Sequence, residues 1–233
     1  MIRLQALQLS KDYNGQPALR PLNLTLHDGD VCCLLGQNGA GKTTTLNLFL
    51  GFIAPTAGKA QLNGVDVRLN APDTNRFVAY IPEVVMLYGN LSGLENLRYF
   101  SRLAGFRYAP AELADCLTRA GLDAAAHPRP VRGYSKGMRQ KVGIAVALAK
   151  NADVLLMDEP TSGLDPKATQ EFTDLVRGLG QQGKTVLMAT HDIFNAVQVG
   201  TQVGIMRQGE LTTVLPTAQI TAPELQELYL QTI

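Results

Sequence analysis

A chain of 233 residues, 45% of them hydrophobic, carries enough apolar material for one full α/β domain, which excludes wholesale disorder. Its formal net charge of +1 lacks the basic excess of a dedicated nucleic-acid binder, so no nucleic-acid partner is expected. Three cysteines, two of them adjacent in "VCCLL" (31–35), point to buried reduced thiols; no secretory signal is expected, and the apolar runs are too short to span a bilayer.

In chain order, residues 2–9 and 22–26 alternate apolar and polar, with Leu22, Leu24 and Leu26 on one face, which predicts half-exposed antiparallel strands. Tyr13, in "SKDYNG", has two readings: a plain aromatic at a strand end, or a ring on which a purine stacks for about 1–3 kcal/mol. "VCCLL", "VLLM" (154–157) and "TVLMAT" (185–190) are continuous apolar runs, as buried parallel strands require. The first leads into "GQNGAGKTT", which fits G-x-x-x-x-G-K-[ST] and opens a helix. Its glycines let successive backbone N–H groups face phosphate oxygens, so a nucleotide would lie against Gly36, Gln37, Asn38, Gly39, Ala40, Gly41, Lys42, Thr43 and Thr44. Lys42 would reach the terminal phosphates and the Thr43 hydroxyl a Mg²⁺ ion.

From about residue 91 to 150 the signals are helical. Ser92-Gly93-Leu94-Glu95 is a capping-box pattern, followed by Leu97, Phe100 and Leu103 on one face. A second helix is predicted from Pro110 to Ala120, with Gly121 as terminator. This predicts a helical subdomain over about 84–151, inserted in an α/β core of about 1–83 and 152–233. In "VRGYSKGMRQK" (131–141), Ser135 stands at a helix N-cap, either as a plain cap or as part of an anion site with the exposed N–H groups there. "VLLMDEP" ends a strand in Asp158, suited to Mg²⁺ through its water shell, and Glu159, suited to orient and deprotonate an attacking water. "MATHD" places His191 past another strand, so polar residues following Leu35, Met157 and Thr190 should meet at the carboxyl edge of one sheet, where ligands sit in open α/β folds. His27 and His127 have no such company and are assigned no role.

With these residues assembled, the chain resembles the ATP-binding subunit of an ABC (ATP-binding cassette) transporter over nearly its whole length. The resemblance implies an α/β phosphate-loop NTPase (RecA-like) core with a mainly parallel sheet, an N-terminal antiparallel β layer and the helical insertion. It makes Tyr13 the adenine-stacking aromatic, Asp158 and Glu159 the metal-site and general-base acids, and His191 the switch residue facing the γ-phosphate. Ser162-Gly163-Leu164-Asp165 is similar to a loop that crosses a dimer interface, with Asp165 at its end. Tyr134, Ser135, Lys136, Gly137 and Met138 fall where the family carries Leu-Ser-Gly-Gly-Gln, a signature that closes over the ATP of a second subunit. Lys136 and Met138 depart from that pattern, and the form "YSKGM" is more similar to export-type systems than to nutrient importers. Glu83, in "YIPE", stands where the family often has a Mg²⁺-contacting Gln. "VVMLYGNL" after it falls where the family docks a short helix of the membrane subunit. The resemblance therefore implies ATP and Mg²⁺ as ligands, a homodimer or a heterodimer with a related ATPase subunit, and a permease on a separate chain. It places the protein at the cytoplasmic face of a membrane. An importer ATPase, or a soluble ATPase of this family acting on nucleic acid or ribosomes, is the alternative reading.

Overall fold

Alternating leucines pair the first two strands. In the computed structural model, which describes residues 1–68 and 74–232, β1 (Ile2–Tyr13) and β2 (Gln16–His27) run antiparallel with Leu4 opposite Leu26 and Leu9 opposite Leu22. The strand expected at 2–9 continues to Tyr13, because Asn14 and Gly15 both take positive φ and turn the chain directly back to Gln16. β4 (Ala57–Leu62) and β5 (Val65–Asp66) complete this sheet in the order β2-β1-β4-β5.

The continuous apolar runs build a second sheet. β3 (Val31–Leu35), β7 (Val154–Asp158) and β8 (Thr185–Thr190) are parallel neighbours, joined by β6 (Val78–Ile81), β9 (Gln202–Arg207) and β10 (Glu210–Pro216). The order is β10-β9-β3-β8-β7-β6, with β10 antiparallel to β9. Both faces are covered, and this explains why β3 and β8 are buried at every position. Successive strand residues face opposite ways, so Val31, Cys33 and Leu35 join one hydrophobic cluster while Cys32 and Leu34 join another. Burial pushes the Cys32 thiol up to about 12 and Cys33 well above its usual value, so both stay protonated. The described cysteines are all free.

One cluster fills the space between the two sheets, where α1 (Lys42–Phe49) packs. The other lies under α2 (Gly93–Leu103), α3 (Pro110–Arg119), α4 (Lys136–Ala149), α5 (Pro166–Gln181) and α6 (Ile193–Val199), with α7 (Ala222–Thr232) against it through Leu225. The capping box at Ser92 and Glu95 forms as its sequence requires. The inward face of α2 differs from the expected apolar stripe. Leu97 is buried together with Asn96 and Ser101, while Leu103, in the last turn, is 72% exposed. Asn96 is satisfied there because its amide donates to Tyr88 O and Ser92 O, bracing the loop before the helix. Among the described residues between Ile81 and Val154 no strand forms, apart from an isolated bridge of Ser92 with Pro130. No helix among the described residues is long and apolar enough to cross a membrane.

Candidate active site

The registers of the parallel sheet decide what meets at its carboxyl edge. Leu35 pairs with Thr190 and Asp158 with Ala189, so the residues immediately past β3, β7 and β8 emerge side by side. Those past β3 and β7 line a cavity of about 370 Å³ whose walls include Gln37 through Thr44, Glu83, Asp158 and Glu159, and His191, past β8, reaches it through Glu159.

The phosphate loop takes a shape that only glycine allows at two points. A Cβ at Gly36 would stand 2.6 Å from Met206 O, and one at Gly41 (φ +101°) would stand 2.8 Å from Ala18 O. The loop is thereby pressed against β9 and against the hairpin that follows Tyr13. Gly41 is also the N-cap of α1, and no side chain caps that end. The first N–H groups of the helix therefore remain available to an anion at the positive end of its dipole. Lys42, only 6% exposed, folds back over the loop and donates to Gly36 O (2.5 Å) and Gln37 O (3.3 Å).

Glu159 takes the left-handed conformation (φ +47°), which costs a residue with a side chain about 1–2 kcal/mol. Its N–H donates to Ala189 O (2.9 Å), so pairing with β8 holds the bend. The bend delivers the carboxylate between two partners: Oε1 lies 3.6 Å from Lys42 Nζ and Oε2 lies 2.8 Å from His191 Nδ1. Next to it, Asp158 Oδ2 accepts from Thr43 Oγ1 (3.0 Å). Burial raises the Asp158 carboxyl above its usual range, against the lowering pull of Thr43 and Lys42, and the charge of Glu83 adds to the rise. A hydroxyl and carboxylates facing one cavity are the hard oxygen donors that suit Mg²⁺, which keeps several waters and needs no closed protein cage. Among the described residues no group of three or more His, Cys, Asp or Glu side chains forms a tighter metal cluster.

The structure therefore gathers Gly36–Thr44, Glu83, Asp158, Glu159 and His191 into one place. Tyr13, 47% exposed at the end of β1, lies outside the lining of that cavity. One face of its ring carries Lys11 Nζ at 4.9 Å, held by Ala54 O. Residues 134–138 also lie outside the lining, and they divide. Tyr134 is buried, donating its hydroxyl to Ala126 O (2.6 Å), and Gly137 is buried against Ala168. Ser135 is exposed, its Oγ accepting from Met138 N (3.3 Å) as the N-cap of α4. Asp165 caps α5, accepting from Ala168 N. Sequence reasoning missed Gln140. It is fully buried, and its Nε2 donates to Pro82 O (3.2 Å) and Glu83 O (3.0 Å). It reads in the sequence as one more polar residue between Arg139 and Lys141, with no signal to set it apart.

An uncapped phosphate loop, an aspartate bonded to its threonine and a carboxylate–imidazole pair on one sheet edge define a phosphate-loop ATPase. The chain belongs to the ABC transporter family, whose model matches residues 19–162. It is 34% identical over 214 residues to the bacitracin transport ATP-binding protein BcrA of Bacillus licheniformis, covering 91% of this chain and 69% of that one. It is 39% identical over 209 residues to the taurine import ATP-binding protein TauB of Shigella flexneri, covering 88% and 80%. The fold superposes with a TM-score of 0.81 and 26% identity on a dimeric, post-hydrolysis state of the ATP-binding cassette MJ0796 bound to ADP and Pi, covering 92% of this chain and 98% of that one.

Proposed function

We propose that this chain is the ATP-hydrolysing subunit of an export-type ABC transporter, working as a homodimer or as a heterodimer with a related ATPase subunit, with a permease on separate chains at the cytoplasmic face of a membrane. The observation that carries the ATPase part is Glu159, held in a left-handed bend between Lys42 and His191 at the mouth of the phosphate loop. The backbone N–H groups of residues 36–44 bind the phosphates, Tyr13 stacks the adenine on its free face, and Lys42 swings from the loop carbonyls to the terminal phosphates. Glu159 accepts a proton from water as the water oxygen bonds to the γ-phosphorus and the bridging oxygen leaves with ADP. His191 holds the carboxylate and its ring faces the γ-phosphate. Thr43 and Asp158, with Glu83 beside them, are placed to hold a Mg²⁺ ion, whose charge would offset that building on the phosphate oxygens.

Ser135 is exposed at the N-terminal end of α4, which it caps, and lies away from its own cavity, which supports its action on the nucleotide of the partner copy. Asp165 lies in the loop proposed to cross that interface. We place the core at about 1–83 and 152–233 and the helical subdomain at 84–151. The permease docks against the latter, where Val84, Met86, Tyr88 and Tyr99 are exposed. Export is supported by "YSKGM"; import is the second reading, favoured by the likeness to TauB. Phosphate release by the purified chain tests the ATPase assignment. Transport into or out of vesicles, after reconstitution with the permease that co-purifies from detergent-solubilised membranes, decides the direction.

A further inference from the structure

Two charged residues stand where the resemblance calls for uncharged ones, and the fold brings them together. Lys136 Nζ lies 3.6 Å from Glu83 Oε1, and the same oxygen accepts from Ser162 Oγ (3.2 Å). One helical turn further along α4, the buried Gln140 amide fixes the backbone carbonyls of Pro82 and Glu83. Glu83 is thus tied to α4 by its backbone and by its side chain, while it also lines the cavity with Thr43 and Asp158. A cation in the first turn of a helix opposes the helix dipole. Lys136 sits in that turn, where no acidic residue accompanies it, so its counter-charge comes from the loop across. Ser162 and Lys136 both draw the carboxylate toward the end of α4, and a divalent cation between Thr43 and Asp158 would draw it the other way. The carboxylate has one charge to share between them.

We propose that Lys136 acts within its own chain as a positioning residue: it pairs with Glu83 and competes with the divalent cation for that carboxylate, so that it sets the cation affinity of its own nucleotide site. This rests on the nucleotide-site reading above. It differs from a role toward a partner's nucleotide in one testable respect, because an effect within the chain survives in a monomer.

The experiment titrates Mg²⁺ against binding of a fluorescent ATP analogue at protein concentrations where sizing shows a monomer. Wild type, Lys136→Met, Lys136→Arg, Glu83→Gln and the Lys136→Met/Glu83→Gln double variant are compared, with circular dichroism confirming that each folds. Both partners are partly solvent-exposed, so the pair is a weak one and the expected change is about three- to fivefold. Lys136→Met should reach half-saturation at about three- to fivefold lower Mg²⁺, and raised salt should shrink that shift. Lys136→Arg should keep the wild-type midpoint. In the Glu83→Gln background Lys136→Met should shift nothing. An unchanged midpoint in Lys136→Met, or an equal shift with and without Glu83, would overturn the pairing while leaving the nucleotide site standing. Binding by the wild-type monomer that does not respond to Mg²⁺ would overturn this inference alone, whereas a monomer that binds no analogue at any Mg²⁺ concentration would overturn the nucleotide-site reading and this inference with it.

Discussion

Replacing Glu159 with glutamine removes a proton acceptor while changing almost nothing else. Gln matches its shape and retains an oxygen, so a contact with Lys42 (3.6 Å in the wild type) or with His191 (2.8 Å) persists. The left-handed bend at this residue is held by the backbone bond to Ala189 O and is untouched by the change. Nucleotide affinity should therefore be kept, or rise, since a negative charge leaves the vicinity of the phosphates. Hydrolysis should fall by about 10²–10⁴, the usual contribution of a general base, which is about 3–5 kcal/mol of barrier. His191 acts on the same carboxylate, so His191→Ala should lower turnover in the wild type and have little further effect in the Glu159→Gln background. Single-turnover phosphate release measures the rate, and a sizing column should show the Glu159→Gln chain accumulating as an ATP-dependent dimer. Turnover within tenfold of wild type would refute the assignment and shift attention to Glu83 as the base. Loss of nucleotide binding would refute the claim that the exchange is local.

Lys42→Ala removes the cation from the loop and should weaken ATP binding about 100-fold or more, read by fluorescent nucleotide titration, since charge-assisted phosphate contacts are the strong ones. Ser135→Arg and Lys42→Ala chains should each fail to form an ATP-bound dimer alone. Mixed at high concentration they should recover one occluded nucleotide per dimer, because an intact loop then meets an intact Ser135; no recovery, where wild type rescues either, would refute action across the interface. Tyr134→Phe should cost about 0.5–1.5 kcal/mol in denaturant unfolding, since it removes one of two donors to the Ala126 carbonyl and leaves the Arg129 N–H in place, yet alter monomeric nucleotide affinity by less than twofold.

The parts of this molecule that were legible in its sequence are those where one residue type does one physical task. Continuous apolar runs gave the buried strands β3, β7 and β8, and glycines at fixed offsets gave the loop where a Cβ would meet Met206 O or Ala18 O. Ser92 and Glu95 announced α2 because each satisfies the other's backbone. What escaped depends on partners remote along the chain. β10 alternates strictly and faces solvent on one side, yet "ELTTVLP" has no apolar run and ends in a proline. Glu159 gives no hint of its bend, which pairing with Ala189 imposes across the sheet. The contacts of Glu83 with Lys136 and Gln140 span 53 and 57 positions, and spacing rules for a single helix or strand cannot reach that far.

The central sheet is a party wall. Because alternate residues of β3 belong to different clusters, the room that contains α1 and the phosphate loop shares no side chains with the room beneath α2–α6. Substitutions on the two sides should be felt separately, with stability effects that add. The apolar packing beneath the helices can therefore be rebuilt without disturbing that around the phosphate loop, while the ties of Glu83 to Lys136 and Gln140 are a door through which the helical side still reaches the nucleotide cavity.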